Sequence, residues 1–444
     1  MAATRSPLRH TALLLSLAGS LTAPPALGAD LFELFQEAQQ VDPTLERAEK
    51  ERVIADYQED QAQAGWFPSL TGQASVFKFD QEQTSTFGGV PSTDNFRFQR
   101  ESYSLTLTQP LFMGGRTWLA VDVAEFTQEK AESGISAARQ DLMLRVAEAY
   151  FGVLDSQEEV ELAEREVRRV EEHLERARAQ FEVGTGDVTG VREAEARRDQ
   201  ARTSLIRARN NLRTAQQRLR RLIRRPTPEL ARVDEVNLTS PDPNTPEGWV
   251  DRALEQNPDL AQTRKDLQIA RKNVDLAKRD RWPELSAQAQ YSKSEGGAFT
   301  KESTDQSIGV QLNWPIYQGG AVSAEANIEQ ERAAQTRLQL DDQQQEVRVQ
   351  TIQAFHDWES ALEEVRSLRA QVTSTKTQLE AVQTGFEVGR RTSVDVLDAQ
   401  QEYFDALRSL AQARHQYLLA RLELKAAVGV LGLDDLRAAN RQLN

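Results

Sequence analysis

The stretch Phe-Glu-Val-Gly-Arg-Arg-Thr-Ser-Val-Asp-Val-Leu-Asp-Ala, residues 386–399, has the pattern of a helical hairpin. Here a long helical pattern stops, turns at Gly389 and starts again, because glycine readily adopts the left-handed conformation that ends a helix. The same four residues, Phe-Glu-Val-Gly, occur 205 positions earlier, at 181–184. The later copy is followed by two acids three residues apart, Asp395 and Asp398. The sequence therefore predicts two helix-turn-helix tips at a fixed offset, with an acidic pair just beyond the second.

The composition indicates long helices rather than several compact cores, because 27% of the 444 residues are charged and only 39% are hydrophobic. Residues 1–28 have the basic start, apolar run and small-residue end of a secretory signal peptide, so we expect a mature chain from about residue 29. Removing two arginines with that segment changes the formal charge from −14 to −16, which disfavours nucleic acid as a partner. The absence of cysteine fits an exported protein without disulfides or a lipidated cysteine.

The chain reads as two copies of one half-domain. Asp-Pro at 42–43 corresponds to Asn-Pro at 257–258, an offset of 215, whereas Pro-X-X-X-Gly-Gly at 110–115 recurs at 315–320, an offset of 205. Ten extra residues must therefore lie between Pro68 and the first of these motifs, where we expect a longer loop.

A proline-rich segment between the copies is typical of a linker. The predicted organisation is a signal peptide at 1–28, a first repeat at 29–225, a linker at 226–247, a second repeat at 248–432 and a C-terminal tail at 433–444.

Each copy has two segments in which apolar and uncharged polar residues alternate, the pattern of strands with one apolar face. They lie at about 70–80 and 98–109 in the first copy and about 285–293 and 306–314 in the second. This length is close to the roughly 9 to 11 residues that cross a bilayer obliquely, and no later stretch approaches the ~20 apolar residues of a membrane helix. An amphipathic sheet on a soluble core is the alternative, but little else in the chain could cover such a sheet.

Aromatic residues cluster where these strands end nearest the helices, as in an interfacial belt. They are Trp66, Phe67, Phe112, Trp118, Trp282, Trp314 and Tyr317. Four strands cannot close a barrel, and open strand edges are not tolerated in lipid. The barrel must therefore be shared, with eight strands from two chains or twelve from three.

Heptad stripes of apolar residues run along both sides of each tip, at 160–181 and 191–222 and again 205 residues later. Two such stripes joined by a short turn predict an antiparallel coiled-coil hairpin, with tips at 181–190 and 386–395. A helix from Thr117 to Phe181 would be ~100 Å long. The predicted fold class is mainly α with a membrane β-barrel, built from duplicated half-domains with four long helical segments and four transmembrane strands per chain.

With these features the chain resembles the TolC-like outer-membrane efflux and secretion ducts over residues 30–432, most specifically at 388–399 and 413–417. The resemblance implies a homotrimer in the cell outer membrane of a Gram-negative bacterium, with a twelve-stranded barrel in lipid and a helical cylinder in the periplasm. It implies a passive duct that works with a periplasmic adaptor (membrane fusion) protein and an inner-membrane RND-type or ABC-type transporter. Drug efflux and type I protein secretion share this architecture, and the sequence does not separate them.

The resemblance also assigns roles at the tips. Inward-facing acids that form a cation filter correspond to Asp395 and Asp398, and a trimer would hold three copies of each carboxylate near a narrow axis. The alternative is that both are first-turn acids favoured by the helix dipole, after Thr392 or Ser393 as N-cap.

Arg391 and Thr189 fall on the positions of one latch contact between neighbouring chains. A second latch of the family is altered here, because Phe386 stands where the family has a tyrosine and Gly190 where it has an aspartate. Asp187 is a candidate replacement for that aspartate. The positions at which family tips meet the adaptor correspond to Val183, Gly184, Thr185, Val388, Gly389 and Arg390.

Two other classes of protein compete with this interpretation. An enzyme is disfavoured because His173, His356 and His415 are each isolated on a helix without a second ligand at metal spacing, so we expect no cofactor and no metal site. A periplasmic adaptor would carry one hairpin flanked by small β domains, whereas this chain has two hairpins and two strand pairs.

Overall fold

The computed structural model describes residues 29–232, 236–297 and 301–441, so the predicted signal peptide lies outside the described residues. In chain order the described elements are α1 (Leu31–Val41), α2 (Pro43–Gln63), a 3-10 turn (Ala64–Trp66), β1 (Ser69–Phe87), β2 (Val90–Met113), α3 (Arg116–Glu182), α4 (Val188–Ile223), α5 (Pro246–Gln256), α6 (Pro258–Arg279), β3 (Glu284–Glu295), β4 (Glu302–Asn313), α7 (Ala321–Glu387), α8 (Ser393–Val428) and α9 (Leu433–Asn440).

Two long helical hairpins dominate the structure. Helices α3 and α7 have 67 residues each, and α4 and α8, which return along them, have 36 each. At ~1.5 Å per residue, the longer helices span about 100 Å. Glycines with positive φ stand before each long helix and at each tip, where the backbone must turn left-handed: Gly115 (80°), Gly184 (75°), Gly320 (87°) and Gly389 (69°). The predicted fold class, mainly α with four strands per chain, is confirmed.

No helix within the described ranges has both the length and the apolar character needed to cross a membrane.

The four strands form one antiparallel sheet in the order β1-β2-β3-β4, with β1 and β4 at its edges. Residues directly opposite each other on neighbouring strands project to the same face. The register places Leu107 opposite Ala289, and Ala289 opposite Ile308, which is 89% exposed in the single chain. One face of the sheet is therefore a continuous apolar surface that the chain itself leaves uncovered.

The ten extra residues of the first copy are strand, and the expectation of a longer loop was wrong. Strands β1 and β2 have 19 and 24 residues, against 12 each for β3 and β4. Their register is unbroken from Ser69 opposite Thr108 to the turn at Gly88 and Gly89. Both glycines have positive φ, which permits the tight two-residue turn of a β-hairpin. Period-two alternation predicted only residues 70–80 and 98–109 as strand, because residues 81–97 between them are mostly polar on both faces.

Short helices and the linker pack around the middle of the long hairpins and form the main core. Tyr150 of α3 and Tyr417 of α8 are both fully buried. The Tyr150 hydroxyl donates to the Ala231 carbonyl at 2.8 Å, and the Tyr417 hydroxyl donates to the Thr239 carbonyl at 3.0 Å. The two hydrogen bonds anchor the predicted linker on the helices. The predicted C-terminal tail contains helix α9, whose Leu436 is fully buried.

The duplication is visible in the caps of α2 and α6. Asp42 accepts hydrogen bonds from two backbone N–H groups at the start of α2, as Asn257 does at the start of α6. The Asn257 amide also donates to the Ala427 carbonyl at 2.9 Å. Asp42, only 4% exposed, is instead paired with Arg145 of α3 at 3.0 Å. The ionised cap in the first copy, Asp42, thus needs a cation beside it. The neutral cap in the second copy, Asn257, does not.

Candidate functional site: the hairpin tips

The two hairpin tips are exposed, and each contains hydrogen bonds to one shared carbonyl. At the first tip Val183 is 73% exposed, and the Thr185 hydroxyl and backbone N–H both donate to the Gln180 carbonyl. At the second tip Val388 is 65% exposed, and the Arg390 N–H donates to the Gly385 carbonyl at 2.8 Å.

Both predicted docking segments have this geometry: Val183, Gly184 and Thr185 in one, Val388, Gly389 and Arg390 in the other. A rigid turn with an outward valine offers a partner a preformed apolar contact.

Asp187 has a structural task at the first tip. Its carboxylate accepts a hydrogen bond from the Gly190 N–H at 2.7 Å and so caps the start of α4. The Asp187 carboxylate, which the sequence suggested as a replacement for the latch aspartate, is therefore already hydrogen-bonded within its own hairpin.

Asp395 forms a capping box at the start of α8. The Asp395 carboxylate accepts from the Thr392 N–H at 2.8 Å and from the Thr392 hydroxyl at 2.9 Å, and the Asp395 N–H donates to that hydroxyl at 3.2 Å. The backbone and hydroxyl hydrogen bonds from Thr392, and then the charge of Arg391, lower the pKa of Asp395 below its ordinary value. The carboxylate is thus both a cap and a charge that persists into mildly acidic conditions.

Asp398 is an ion-pair partner rather than a free carboxylate. Arg197 of α4 donates one guanidinium nitrogen to the Asp398 carboxylate and another to the side-chain oxygen of Gln401. Both acceptors lie on α8, one turn apart, and the donor lies on the other hairpin. Arg197 therefore ties the two hairpins of one chain together just behind their tips.

Beside this ion pair lies a buried contact that the sequence did not reveal. The Nε2 atom of His173 on α3 is 2.6 Å from the Ser393 hydroxyl at the start of α8, and the His173 ring centroid is 6.0 Å from that of Phe386. Burial, and then the charge of Arg176, lower the pKa of His173 to about 4, so the ring is neutral at neutral pH.

The position corresponding to His173 in the second copy is Gln378, and no spacing in the sequence marks this histidine. The ring of Phe386, which stands where the family has a tyrosine, packs against His173. Around these residues a small apolar cluster joins α3, α4 and α8, formed by Val170, Leu174, Val191, Ala194 and Leu397.

The two residues of the predicted latch between chains lie on different hairpins. The Arg391 side chain passes over Gly385, where an added Cβ would lie 2.8 Å from the arginine Cγ, and its guanidinium is 4.0 Å from Asp395. Thr189 is exposed on the first turn of α4. Because the predicted contact joins neighbouring chains, it stays a prediction.

Among the described residues, no group of three or more His, Cys, Asp or Glu side chains could hold a metal ion. The buried His415 is 2.7 Å from Asp155, in a contact that joins α8 to α3. The contacts described at the tips are ion pairs, hydrogen bonds and helix packing.

Comparisons with known proteins agree along nearly the whole chain. A family model described as outer membrane efflux protein matches residues 34–223 and 249–430. The outer membrane protein TolC of Vibrio cholerae is 29% identical over 424 residues, which are 93% of this chain and 94% of that protein. The alkaline protease secretion protein AprF of Pseudomonas aeruginosa is 31% identical over 374 residues, which are 81% of this chain and 76% of that protein.

A solved outer membrane channel shares the fold. The crystal structure of the Campylobacter jejuni CmeC outer membrane channel superposes with a TM-score of 0.76 at 16% identity, covering 94% of this chain and 90% of that chain.

Proposed function

The chain belongs to the outer membrane efflux protein family, and from that premise we propose that it is the passive exit duct of a tripartite export system. It is an outer-membrane channel of the efflux and secretion type, with its helices extending into the periplasm. In the proposed system the substrate reaches the duct from an inner-membrane RND-type or ABC-type transporter through a periplasmic adaptor protein. The duct itself supplies a path and a gate, and the energy comes from the transporter.

The sheet is the observation that carries the proposal. It has an uncovered apolar face and two edges, and it is joined directly to helices of about 100 Å. Lipid can cover the apolar face, but strand edges in lipid must be paired. Three chains would pair all edges in a twelve-stranded barrel, wide enough for a lumen, which supports a homotrimer.

The geometry of the tips supports their proposed contact with the adaptor and their proposed role as the gate. The outward valines at the two turns would meet the adaptor. Asp395 would contribute three persistent carboxylates near the axis of a trimer, where they would attract cations. The Asp398 carboxylate would add its full negative charge near that axis only when it is separated from Arg197. The latch between chains would join Arg391 to Thr189.

Protein secretion is the second candidate function within this architecture. It is supported by the likeness to a protein whose name states alkaline protease secretion. A deletion strain separates the two candidates, because loss of an efflux duct raises sensitivity to drugs, whereas loss of a secretion duct leaves a protein substrate inside the cell.

A pair of substitutions on β4 tests the duct itself. Ile308 lies on the apolar face, and Gln311, of opposite parity, lies on the other face. We expect Ile308→Arg to abolish recovery of a heat-modifiable trimer from the outer membrane, because an arginine facing mid-bilayer lipid costs about 2–4 kcal/mol in a strand. Gln311→Arg should insert normally. Equal insertion of both variants, or recovery of the wild type in the soluble periplasm, would contradict a membrane-spanning sheet.

Two further variants test the gate. The double variant Asp395→Ala and Asp398→Ala should weaken block of the open channel by polyvalent cations in bilayer recordings. Arg391→Ser should raise the resting conductance. Wild-type block in the first case, or wild-type conductance in the second, would show that these residues do not form the filter or the latch.

A further inference from the structure

A groove of about 840 Å³ lies at the junction between the sheet and the helices, where α6 ends and β3 begins. Its walls combine three aromatic side chains, Phe112, Trp282 and Trp314, with three cations, Lys278, Arg279 and Arg281. The volume is within the roughly 300–1,000 Å³ of ligand clefts. The tip chemistry described above uses none of these residues.

The groove opens on the apolar face of the sheet. Phe112 is opposite Leu285, and Leu285 is opposite Leu312, so the three side chains project to the same face. Trp314 lies two residues after Leu312, directly beyond the last residue of β4. The wall of the groove formed by Phe112 therefore faces the lipid side of the proposed barrel rather than its lumen.

The cations in the groove are largely uncompensated. Asp275 is the acid that lines it, and its carboxylate is 3.6 Å from the Lys278 ammonium. The nearby carboxylates of Asp280 and Glu284 both face Arg116, at 2.8 Å and 3.7 Å. The lining thus carries three positive charges against one negative.

Each arginine is held in place by its own contact. The Arg279 guanidinium lies over the Trp282 ring, 4.8 Å from the ring centroid. The Arg281 Nε donates to the Lys278 carbonyl at the end of α6, at 3.1 Å. Along the described parts of the chain, neither guanidinium has a carboxylate partner. The helix dipole also favours cations in the last turn of a helix. That effect explains neither the aromatic wall nor Arg281, which lies beyond the end of α6.

We propose that this groove binds the headgroup of an anionic phospholipid, with the phosphate on Arg279, Arg281 and Lys278 and the lipid body along Phe112, Trp282 and Trp314. The inference rests on the proposed membrane-spanning sheet. Because the long helices extend into the periplasm, the junction lies at the periplasmic leaflet, which consists of phospholipid. Aromatic rings and basic side chains both favour the headgroup level of a bilayer.

Native mass spectrometry of the trimer in neutral detergent tests the site, with phosphatidylglycerol and phosphatidylcholine added separately. We expect up to three phosphatidylglycerol molecules per wild-type trimer and weaker binding of phosphatidylcholine. Each basic residue near a lipid headgroup contributes a factor of about five in affinity. The triple variant Lys278→Gln, Arg279→Gln and Arg281→Gln should therefore lose at least about tenfold in affinity for phosphatidylglycerol, with little change for phosphatidylcholine.

A second triple variant is the matched control. Arg207, Arg213 and Arg220 are exposed on α4, far along the helices from the sheet, and their replacement by glutamine removes the same charge. The control should keep the wild-type preference for phosphatidylglycerol. If the first triple variant does not assemble, Arg279→Gln alone should still show a loss of roughly fivefold.

Three results would overturn the proposal: equal binding of the two lipids by the wild type, unchanged phosphatidylglycerol binding in the variants of the groove, or displacement of the lipid by millimolar sn-glycerol 3-phosphate. The last result would indicate a site for a free phosphate. The conductance of the same wild-type preparation is also measured in planar bilayers. A trimer that conducts but does not prefer phosphatidylglycerol would contradict only the proposed lipid site and would leave the proposed function standing.

Discussion

Replacing Arg197 by glutamine should loosen the gate and tighten cation block at the same time. In the structure the Arg197 guanidinium joins α4 to Asp398 and Gln401 of α8, so its removal breaks the ion pair that ties the two hairpins behind their tips. The same change leaves the Asp398 carboxylate without its counter-ion. Loss of the tie favours separation of the tips, and loss of the counter-ion makes the mouth of the duct more negative.

The size of the effect follows from the exposure of the pair. The side chains of Arg197 and Asp398 are 32% and 51% exposed, so solvent screens their attraction. Exposed pairs of this kind contribute about 0.2–1 kcal/mol each. If the tips of three chains move together, the three pairs contribute about 0.6–3 kcal/mol to the closed state. The open fraction should then rise between about threefold and about 150-fold.

Single-channel recording in planar bilayers measures both consequences. The half-blocking concentration of hexaamminecobalt(III) is a suitable probe, because this trivalent ion does not exchange its ligands and reports charge alone. Arg197→Gln should raise the resting conductance and lower the half-blocking concentration. Asp398→Asn should also raise the conductance but increase the half-blocking concentration, because it removes a carboxylate and leaves the arginine.

Two further variants complete the test. The double variant Arg197→Gln and Asp398→Asn should raise the conductance no more than either single change, because both break one bond. Arg198→Gln is the matched control, because Arg198 is paired with Asp199 on its own helix at 2.7 Å. This substitution should change neither the resting conductance nor the half-blocking concentration. Wild-type conductance and wild-type block in Arg197→Gln would refute the reasoning.

Three other outcomes are expected from contacts away from this pair. Arg145→Gln should destabilise the protein by about 2–3 kcal/mol, somewhat less than a fully buried broken pair because Arg145 is partly exposed. Burial raises the pKa of Asp42, but the hydrogen bond and charge of Arg145 and the backbone hydrogen bonds from Leu45 and Thr44 together lower the pKa below 3.8. This stabilisation is therefore present above about pH 3.8 and is lost as the pH falls through the folded-state pKa. Thermal unfolding of the wild type and of Arg145→Gln between pH 3 and pH 7 measures the loss of stability and its pH dependence. Identical pH profiles for the two proteins would contradict a stabilising Asp42–Arg145 ion pair. The buried His173 has a lowered pKa and binds fewer protons than it would in the unfolded chain, so the stability of the packed state around His173 and Ser393 is complete above about pH 6.5 and decreases as the pH falls toward about 4. The resting conductance should rise in that window, and His173→Gln should flatten the response. Gly429→Ala should lower the melting temperature far more than Gly389→Ala, because an added Cβ at 429 would lie 2.7 Å from the Gln256 carbonyl oxygen, whereas at 389 it would meet no atom within 4 Å.

The hairpins and strands could be predicted because each leaves a local, repeated signal. Heptad spacing on both sides of the Phe-Glu-Val-Gly tips specifies which helical faces are buried, and the common offset fixes how the two copies correspond. The predicted helix from Thr117 to Phe181 lies within α3, Arg116–Glu182. Alternation identifies a strand only where one face is apolar, so it predicts a loop over the distal part of the β1–β2 hairpin.

The contacts of the tips could not be read from the sequence, because they join residues with no fixed spacing. Arg197 and Asp398 are 201 positions apart, and His173 and Ser393 are 220 apart. The acidic pair was visible, but its two members have different tasks, since Asp395 caps its own helix and Asp398 binds the other hairpin. The resemblance to a family predicts a gate at the tips, which stays a prediction, and the structure showed which side chains hold these hairpins together.

The number of chains in the complex extracted from the outer membrane is the most direct measurement of the proposed duct. Native mass spectrometry of that complex should give the mass of three chains, because three sheets of four strands pair every edge in a barrel with a lumen. A complex of two chains, or a single chain recovered from the soluble periplasm, would contradict a twelve-stranded duct.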